Sequence, residues 1–262
     1  MIYLTCALDA EARPLIEHYR LKRDYTLPYT FYKGDGILLL VTGIGRSNAM
    51  LALSALMGYR IPTKDDLLIN IGICGAPDTY RLGEALLIHQ IMDTDRSYYP
   101  DILYPHPLRE TGLMCVDTPV SSPCLSPVDM ESGGIFQAAS RFLKLHQMAF
   151  IKIVSDHFEP HKVTKEGAIH LVKSHIHTLE SLIASLQKVS SDPSLFTPEE
   201  MEKIGEWKTH FTVSQGVKLE EALFYFRLKI PKRPLPFPTD PIPTSKRERS
   251  TLLETFIAHL TA

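Results

Sequence analysis

Three carboxylates in this sequence stand where acid–base chemistry could be done. Glu11 follows an apolar N-terminal run, Glu131 lies in the segment V-D-M-E-S, and Asp156 ends the segment V-S-D. Each falls at a predicted junction between a strand and a helix, which is the rim where α/β folds place ligands. Carboxylates that share a rim can divide the acid and base roles between them. A single carboxylate at such a junction is equally typical of a helix cap, so a structural interpretation stays open.

Two glycine-bearing segments could bring backbone close to a ligand. Gly43 and Gly45 lie in residues 42–48 (T-G-I-G-R-S-N), where a strand is predicted to run into a helix. Exposed N–H groups at a helix N-terminus suit an anion or a ribose hydroxyl. Gly72 lies in residues 70–76 (N-I-G-I-C-G-A), predicted as a strand that ends in a glycine turn. Neither segment completes a dinucleotide fingerprint or a phosphate-binding loop, and tight turns or a strand bulge explain the glycines as well.

The elements that would position these residues alternate along the chain. Short, continuous apolar runs are typical of strands buried on both faces of a sheet, and the stretches between them have helical periodicity. We predict strands over residues 2–8, 36–42, 66–71, 84–93 and 149–154, and helices over residues 10–19, 47–58, 132–146 and 164–188. This alternation predicts an α/β fold with a mixed central β-sheet flanked by helices in three layers.

The sequence pattern changes near residue 190. We predict a core domain over residues 1–190 and a C-terminal helical, Pro-rich extension over residues 191–262 that packs on the core. Helices are expected near 198–210, 217–229 and 247–261. Six prolines between Pro231 and Pro243 predict an extended segment, because proline has no backbone N–H for a central strand. Such a segment can be a strap across its own domain or a ligand for a partner.

Composition excludes several classes of function. The chain is 44% hydrophobic and 22% charged, with a formal net charge of −2, which favours a globular protein without the basic surface expected of a nucleic-acid binder. No stretch approaches the ~20 apolar residues of a membrane span, and the N-terminus lacks the basic region of a signal peptide. The four cysteines are scattered, which is typical of a reducing compartment. We therefore expect a cytoplasmic protein with no metal and no cofactor.

Taken in order, the segments A-L-D-A-E, T-G-I-G, N-I-G-I-C-G, V-D-M-E-S and V-S-D resemble the nucleoside phosphorylase and nucleosidase superfamily. The similarity covers roughly residues 1–190 and is greatest to the bacterial methylthioadenosine/S-adenosylhomocysteine nucleosidases. It implies a mixed sheet wrapped by helices, assembly as a homodimer or larger homo-oligomer, and a nucleoside as the small-molecule partner. It also implies enzymatic cleavage of an N-glycosidic bond.

The resemblance implies a role for each matched residue. Glu131 would grip the ribose 2′- and 3′-hydroxyls, because a carboxylate accepts two hydrogen bonds and favours a ribosyl cation, while Met130 would pack against the sugar. Asp156 would act as the acid at the purine base, oriented by Ser155. Glu11 would deprotonate the attacking water. The remaining substrate-binding positions implied are Asp129, Lys152, Gly43, Gly45, Gly72 and Ile73, with Lys152 where the nucleosidases carry an arginine near the water.

Departures from the family pattern bear on which reaction is expected. Asn70 and Ile73 stand where phosphorylases carry the arginine and serine that bind phosphate. Hydrolysis is therefore expected over phosphorolysis, unless Arg13 or Arg46 substitutes. Because Ile73 has no hydroxyl to hold the water, a nucleoside-binding protein without strong catalysis is a further alternative.

The segment between Gly75 and Val128 is shorter than is usual in the family, and it normally carries part of the wall around the base. Four aromatic side chains in this segment could stack on a base or lie on the surface: Tyr98, Tyr99, Tyr104 and His106. The expected function is that of a nucleosidase acting on a purine nucleoside or a 5′-thio-substituted relative.

Overall fold

The computed structural model describes residues 1–190, 196–230, 233–238 and 243–261. The chain divides into two compact units, Met1–Ser191 and Asp192–Ala262. Within the described residues no helix is both long enough and apolar enough to cross a membrane.

The N-terminal unit interleaves strands and helices. Its strands are β1 (Ile2–Cys6), β2 (Lys22–Asp24), β3 (Thr30–Gly34), β4 (Ile37–Val41), β5 (Leu67–Gly75), β6 (Ala85–Asp93), β7 (Arg96–Tyr98), β8 (Arg109–Cys115), β9 (Val128–Asp129) and β10 (Met148–Asp156). Its helices are α1 (Asp9–His18), α2 (Arg46–Tyr59), α3 (Ser132–Ala139), α4 (Lys165–Ser174) and α5 (Ile176–Ser190).

The strands form one mixed sheet that closes on itself at one end. Strand β5 pairs with β10, β10 with β6, β6 with β8, β8 with β9, and β9 returns to β5. From β5 the sheet continues as an open layer through β1, β4, β3 and β2. Strands β5, β1, β4 and β10 run parallel, so their carboxyl ends meet at one rim. The predicted mixed α/β fold is confirmed.

Helices cover both faces of this sheet. Strand β4 shows why: Leu38 and Leu40 belong to the apolar cluster under α2 and α3, whereas Leu39 belongs to the cluster under α1, α4 and α5. Alternate side chains of a strand point to opposite faces, so an apolar residue at every position requires cover on both sides. The three-layer arrangement follows from this pattern.

Two helices predicted as continuous are shorter. The helix predicted over 164–188 is broken at His175, whose Nε2 donates to the Gly83 carbonyl at 2.8 Å and separates α4 from α5. The helix predicted over 132–146 ends at Ala139. Gln147 accepts from the Lys144 N–H at 2.9 Å, and this bond holds residues 144–147 in a separate 3-10 turn. In both places a tertiary hydrogen bond or a local turn overrides apolar periodicity.

The glycine turn predicted at residues 70–76 is wrong. Strand β5 continues through Gly75, so Gly72 and Ile73 lie inside a strand rather than in a turn. The register with β10, in which Lys152 lies opposite Gly72, continues to Val154 opposite Cys74. The length of this pairing carries the site residues to the rim of the sheet.

The C-terminal unit is helical, as expected. It contains α6 (Pro198–Lys208), α7 (Val213–Lys229) and α8 (Lys246–Thr261). Trp207 packs against Phe237 and Phe256, with ring centroids 5.0 and 5.2 Å away, in an apolar cluster whose described residues all belong to this unit. Residues 234–238 have no regular secondary structure, whereas Pro231 and Pro241 lie outside the described residues. The packing of this unit on the core domain stays a prediction.

Candidate active site

The site begins where strand β10 exchanges apolar for polar side chains on one face. Met148 and Phe150 point into the apolar cluster under α2 and α3. Two residues after Phe150 on the same face, Lys152 is a buried polar side chain. Asp156 is also buried, but it follows a register shift in the pairing of β10 with β5. The neighbouring strand β5 shows the same change, because Leu68 is followed two residues later by the buried side chain of Asn70. Buried polar side chains therefore lie beyond the apolar core, toward the rim of the sheet.

Glu131 occupies the N-cap position of α3, without a capping hydrogen bond from its side chain, and is 8% exposed. Its Oε1 accepts a 2.7 Å hydrogen bond from the Gly45 N–H, in the turn that opens α2. Burial raises the pKa of Glu131 to about 7, assisted by the charge of Asp129 and opposed by that of Lys152. Near neutral pH this carboxylate therefore exchanges between its charged and neutral forms.

Asp129 and Lys152 form a buried ion pair beside Glu131. Lys152 Nζ lies 2.8 Å from Asp129 Oδ2, and both side chains are at most 3% exposed. Burial acts to lower the pKa of Lys152, but the charges of Asp129, Glu131 and Glu11 outweigh it and raise that pKa. Lys152 therefore keeps its positive charge in this buried setting, where the Asp129 carboxylate lies next to it.

Glu11 lies in the first turn of α1 and faces the same group. Its Oε2 accepts from the N–H groups of Ala7 and Leu8, both at 2.9 Å, and its Oε1 accepts from the Ile73 N–H at 2.8 Å. Burial raises the pKa of Glu11 above its ordinary value, although three N–H groups and the charge of Lys152 oppose the shift. Since a carboxylate has about four acceptor positions, one remains for a further donor.

Asp156 ends β10 and is held by the loop that follows. Its Oδ1 accepts from the Glu159 N–H at 2.7 Å, and its Oδ2 lies 2.7 Å from the Ser155 hydroxyl, which is also 3.1 Å from the Cys74 carbonyl. Phe158, within this loop, has a φ of +61°, which a non-glycine residue rarely adopts. Strained backbone of this kind is found where a side chain must be held in one place.

The other predicted site positions contribute backbone hydrogen bonds or space rather than reactive side chains. Gly45 donates its N–H to Glu131, whereas the Gly43 N–H donates to the Ala7 carbonyl and shapes the loop. At Gly72 a Cβ atom would lie 2.9 Å from Glu11 Oε1, so glycine leaves room for that carboxylate. Ile73 contributes its backbone N–H, and Met130 is half-buried between Asp129 and Glu131.

Comparison with known proteins gives a partial match to a family model and a shared fold. Residues 2–120, which are less than half of the 262-residue chain, match the family model described as the phosphorylase superfamily. The resemblance read from the sequence is thereby confirmed. No curated protein matches the chain by sequence.

Solved structures of nucleosidases are similar to this chain in fold. The 5′-methylthioadenosine/S-adenosylhomocysteine nucleosidase of Streptococcus pneumoniae, bound to a transition-state inhibitor, is 18% identical with a TM-score of 0.58, covering 72% of this chain and 99% of its own. The Colwellia psychrerythraea nucleosidase with adenine is 18% identical with a TM-score of 0.54, covering 71% and 93%. The futalosine hydrolase of Helicobacter pylori is 14% identical with a TM-score of 0.56, covering 70% and 97%.

The arginines that could replace the phosphate-binding arginine of the superfamily are engaged elsewhere. Arg46 lies 2.7 Å from Asp93 and 3.2 Å from Asp117. Arg13 forms an exposed ion pair with Glu17 at 3.0 Å. Asn70, where the resemblance implies an arginine in phosphorylases, donates to Thr5 within the sheet at 3.1 Å. Because each of these three side chains already contacts another residue, none of them is positioned to bind phosphate.

The aromatic residues of the shortened segment point to different places. Tyr98 stacks on Phe136 of α3, with ring centroids 4.8 Å apart. Tyr104 is buried in the opposite cluster, under α1, α4 and α5, and Tyr99 is 55% exposed. Because Tyr98 and Tyr104 lie on opposite faces of the sheet, the two do not form one wall around a base.

One participant was missed by the sequence reasoning. Ser132 donates through both its N–H and its hydroxyl to Asp129 Oδ2, at 3.0 and 2.5 Å, and closes the turn around Glu131. Its position as the last residue of V-D-M-E-S, three after an aspartate at a helix start, was the available signal. Among the described residues, no group of three or more His, Cys, Asp and Glu could hold a metal ion.

Proposed function

We propose that this protein is a nucleosidase, an N-ribosyl hydrolase that transfers a ribosyl group to water. The observation that carries the proposal is the buried group of Glu131, Glu11 and Lys152 at the rim of a nucleosidase-like sheet. A fold supports many functions, so the argument rests on the chemistry of this group.

Glu131 suits the ribose. Of its two oxygens, Oε1 receives the Gly45 N–H, which fixes the orientation of the carboxylate. Its remaining acceptor positions can receive the two hydroxyls of a ribose, and its negative charge favours the cation that develops as the glycosidic bond breaks. The buried setting strengthens this attraction, because fewer water molecules screen it.

Glu11 suits the attacking water. Three of its acceptor positions are filled by backbone N–H groups, so the carboxylate is immobile and offers one position to a water molecule. A raised pKa makes it a better base than an exposed glutamate. Ile73 has no hydroxyl, but its N–H holds Glu11, so the side-chain change leaves the base in position.

Asp156 suits the departing base. The Ser155 hydroxyl has one proton and two acceptors within reach, the Cys74 carbonyl and Asp156 Oδ2. These contacts and the Glu159 N–H fix the orientation of the Asp156 carboxyl at the end of β10. A carboxyl held in this way can serve as the general acid that passes a proton to a purine and improves it as a leaving group.

Hydrolysis is favoured over phosphorolysis because the nearby cationic side chains are already paired with carboxylates. Arg46 is neutralised by Asp93 and Asp117, and Asn70 has no charge to offer. Lys152 is paired with Asp129. A phosphate dianion would enter a pocket that already holds several carboxylates, which costs free energy without a compensating cation.

The substrate class is a purine nucleoside or a 5′-thio-substituted relative. Support comes from the nucleosidases that share the fold, two of which act on 5′-methylthioadenosine and S-adenosylhomocysteine and one on futalosine. We also expect a cytoplasmic homodimer or larger homo-oligomer without a cofactor. Sedimentation of the purified chain measures its assembly.

The test is release of free base from a nucleoside panel by the purified full chain, with and without phosphate. We expect turnover of at least one purine nucleoside without phosphate, and loss of at least 100-fold in the variants Glu131→Gln and Asp156→Asn. The matched control is Asp9→Asn, an exposed carboxylate in the same turn as Glu11, which keeps full activity.

Other outcomes separate the alternatives. Turnover that requires phosphate identifies a phosphorylase. Nucleoside binding without base release over hours identifies a binding protein on this fold. Unchanged turnover in both Glu131→Gln and Asp156→Asn rules out the proposed site.

A further inference from the structure

The ion pair between Asp129 and Lys152 is held by its neighbours through one of the two carboxylate oxygens of Asp129. The other oxygen, Oδ1, is buried with no hydrogen-bond partner among the described residues. Asp129 Oδ2 receives three donors: the Ser132 N–H, the Ser132 hydroxyl and Lys152 Nζ. Both charged side chains are at most 3% exposed. Because a lone buried charge is far more costly than a paired one, each residue compensates the burial of the other.

Residues on both sides of Glu131 in the sequence link it to this ion pair. Asp129 lies two residues before Glu131, and Ser132, which donates twice to Asp129, directly follows it. The turn between β9 and α3 is thus tied into a closed loop with Glu131 at its tip. From across the pocket, the Gly45 N–H holds Oε1 of Glu131 at 2.7 Å.

Four groups act on the charge of Glu131, each from a different element. Asp129 comes from β9, Lys152 from β10, Glu11 from α1, and the Gly45 N–H from the turn before α2. The two carboxylates favour the neutral form of Glu131, and the ammonium and the N–H favour the charged form. Since Nζ bonds to Asp129 rather than to Glu131, the ammonium is largely compensated before it acts on Glu131.

We propose that Asp129 and Lys152 are a positioning pair, which holds Glu131 in place and sets the charge state in which it meets a ribosyl substrate. The inference rests on the proposed function and gives these two residues a role through Glu131 rather than through contact with substrate. A lysine suits this role, because a single ammonium can be held by one carboxylate, whereas the planar fork of an arginine can bridge two.

The experiment is a pH titration of the Glu131 carboxyl by carbon-13 NMR, in the full chain without substrate. Glutamates are labelled at the side-chain carboxyl carbon, and the Glu131 signal is assigned by its loss in Glu131→Gln. The parent should titrate near pH 7. Asp129→Asn should lower the midpoint by one unit or more, since it removes a negative charge and releases Lys152 toward Glu131.

Lys152→Gln should move the midpoint of Glu131 in the opposite direction, upward. The double variant Asp129→Asn/Lys152→Gln loses both charges and should titrate within about half a unit of the parent, because the two contributions oppose each other. The matched control is Asp66→Asn, which breaks another buried ion pair, with the N-terminal ammonium, and should leave the midpoint unmoved.

A loss of packing alone would not produce opposite shifts from the two single variants. A Glu131 midpoint that stays in place in folded Asp129→Asn, or shifts equally in Asp66→Asn, overturns the proposal. Where one single variant fails to fold, the other and the double variant decide. A double variant that departs from the parent by more than a unit also overturns it.

The two proposals fail separately. If the midpoints move as expected and no nucleoside is cleaved, the proposed activity is wrong and the role of the pair toward Glu131 stands. If base is released and the midpoints do not move, the pair has no such role. In an active enzyme, the acidic limb of kcat/KM should follow the NMR midpoint through the three variants.

Discussion

Burying Glu131 has a free-energy cost that depends on pH. Its pKa is raised from the ordinary 4.5 to about 7, chiefly by burial and then by Asp129. Between these values the native protein keeps a proton that the unfolded chain has released. The native state therefore binds more protons there, and the free energy of unfolding falls as pH rises from about 4.5 to about 7. Above that range the full cost is present.

This cost predicts the effect of Glu131→Gln on stability. At pH 8 the variant should unfold a few degrees higher than the parent, because a neutral amide replaces a buried charge; at pH 5 the two should differ little. Thermal unfolding at both pH values measures this. The exposed, ion-paired Glu17→Gln is the control and should show no such dependence. An equal change at both pH values would mean that the charge of Glu131 is not the source of the cost.

The room around Glu11 predicts a second effect. In Gly72→Ala the new methyl group would lie 2.9 Å from Glu11 Oε1, so the carboxylate must move and its bond to the Ile73 N–H must lengthen. We expect kcat to fall by about 100-fold with KM little changed, since displacement of a reacting group impairs the chemical step.

The control for Gly72→Ala is Gly58→Ala in α2, where nothing lies within 4 Å of the added atom. It should retain activity and be slightly more stable, because alanine is the better helix former. Full activity in folded Gly72→Ala would remove Glu11 from the proposed mechanism.

At the scale of elements, the crossing of α2 and α3 holds the two ends of the Gly45–Glu131 bond. A Cβ atom at Gly134 of α3 would lie well inside contact distance of the Arg46 carbonyl oxygen at the start of α2. Glycine at this position allows the two helix backbones to touch. Because the obstacle is backbone rather than a flexible side chain, no rotamer change can relieve it.

Gly134→Ala should therefore separate the two helices. We expect the free energy of unfolding to fall by about 1–3 kcal/mol, measured by denaturant titration. Nucleoside affinity should fall as well, since the Gly45 N–H moves away from Glu131. The same Gly58→Ala variant serves as the control. Affinity that is retained despite the loss of stability would show that the Gly45–Glu131 bond is not needed for binding.

The elements that were predictable from sequence are those buried on both faces. Strand β4 is apolar at every position and was found, whereas the three-residue strands β2 and β7 carry exposed polar side chains and were not. A short edge strand exists only because a neighbour pairs with it, and that pairing is not encoded locally. The break at His175 was invisible for the same reason, since it depends on a carbonyl 92 residues away.

The site was predictable in its residues more than in its contacts. Glu11, Glu131 and Asp156 were predicted as site residues because each was expected at a junction between elements, and each lies at the end of a strand or the start of a helix. The direct contact of Lys152 with Asp129 was not foreseen, because it depends on how β9 and β10 are both placed beside β5. The resemblance implied that both residues contact the substrate. In the structure both side chains are buried and contact each other.

At the scale of the whole molecule, each core cluster draws its residues from one unit. The two clusters on either face of the sheet lie entirely within residues 1–191, and the cluster around Trp207 lies entirely within the C-terminal unit. A unit with a core of its own can unfold as a cooperative body. Ligand binding should then stabilise only the unit that binds.

The single tryptophan makes this testable. Trp207 reports unfolding of the C-terminal unit by fluorescence, whereas far-UV circular dichroism reports both units. Adenine at about a hundredfold excess over Kd adds about 2.7 kcal/mol, so the transition of the N-terminal unit should rise by about 5–10 °C in the dichroism signal. The Trp207 fluorescence transition should not move. An equal shift in both signals would show that the two units unfold as one body. The same measurement on Asp156→Asn, the residue proposed to meet the base, should show a smaller ligand-dependent shift.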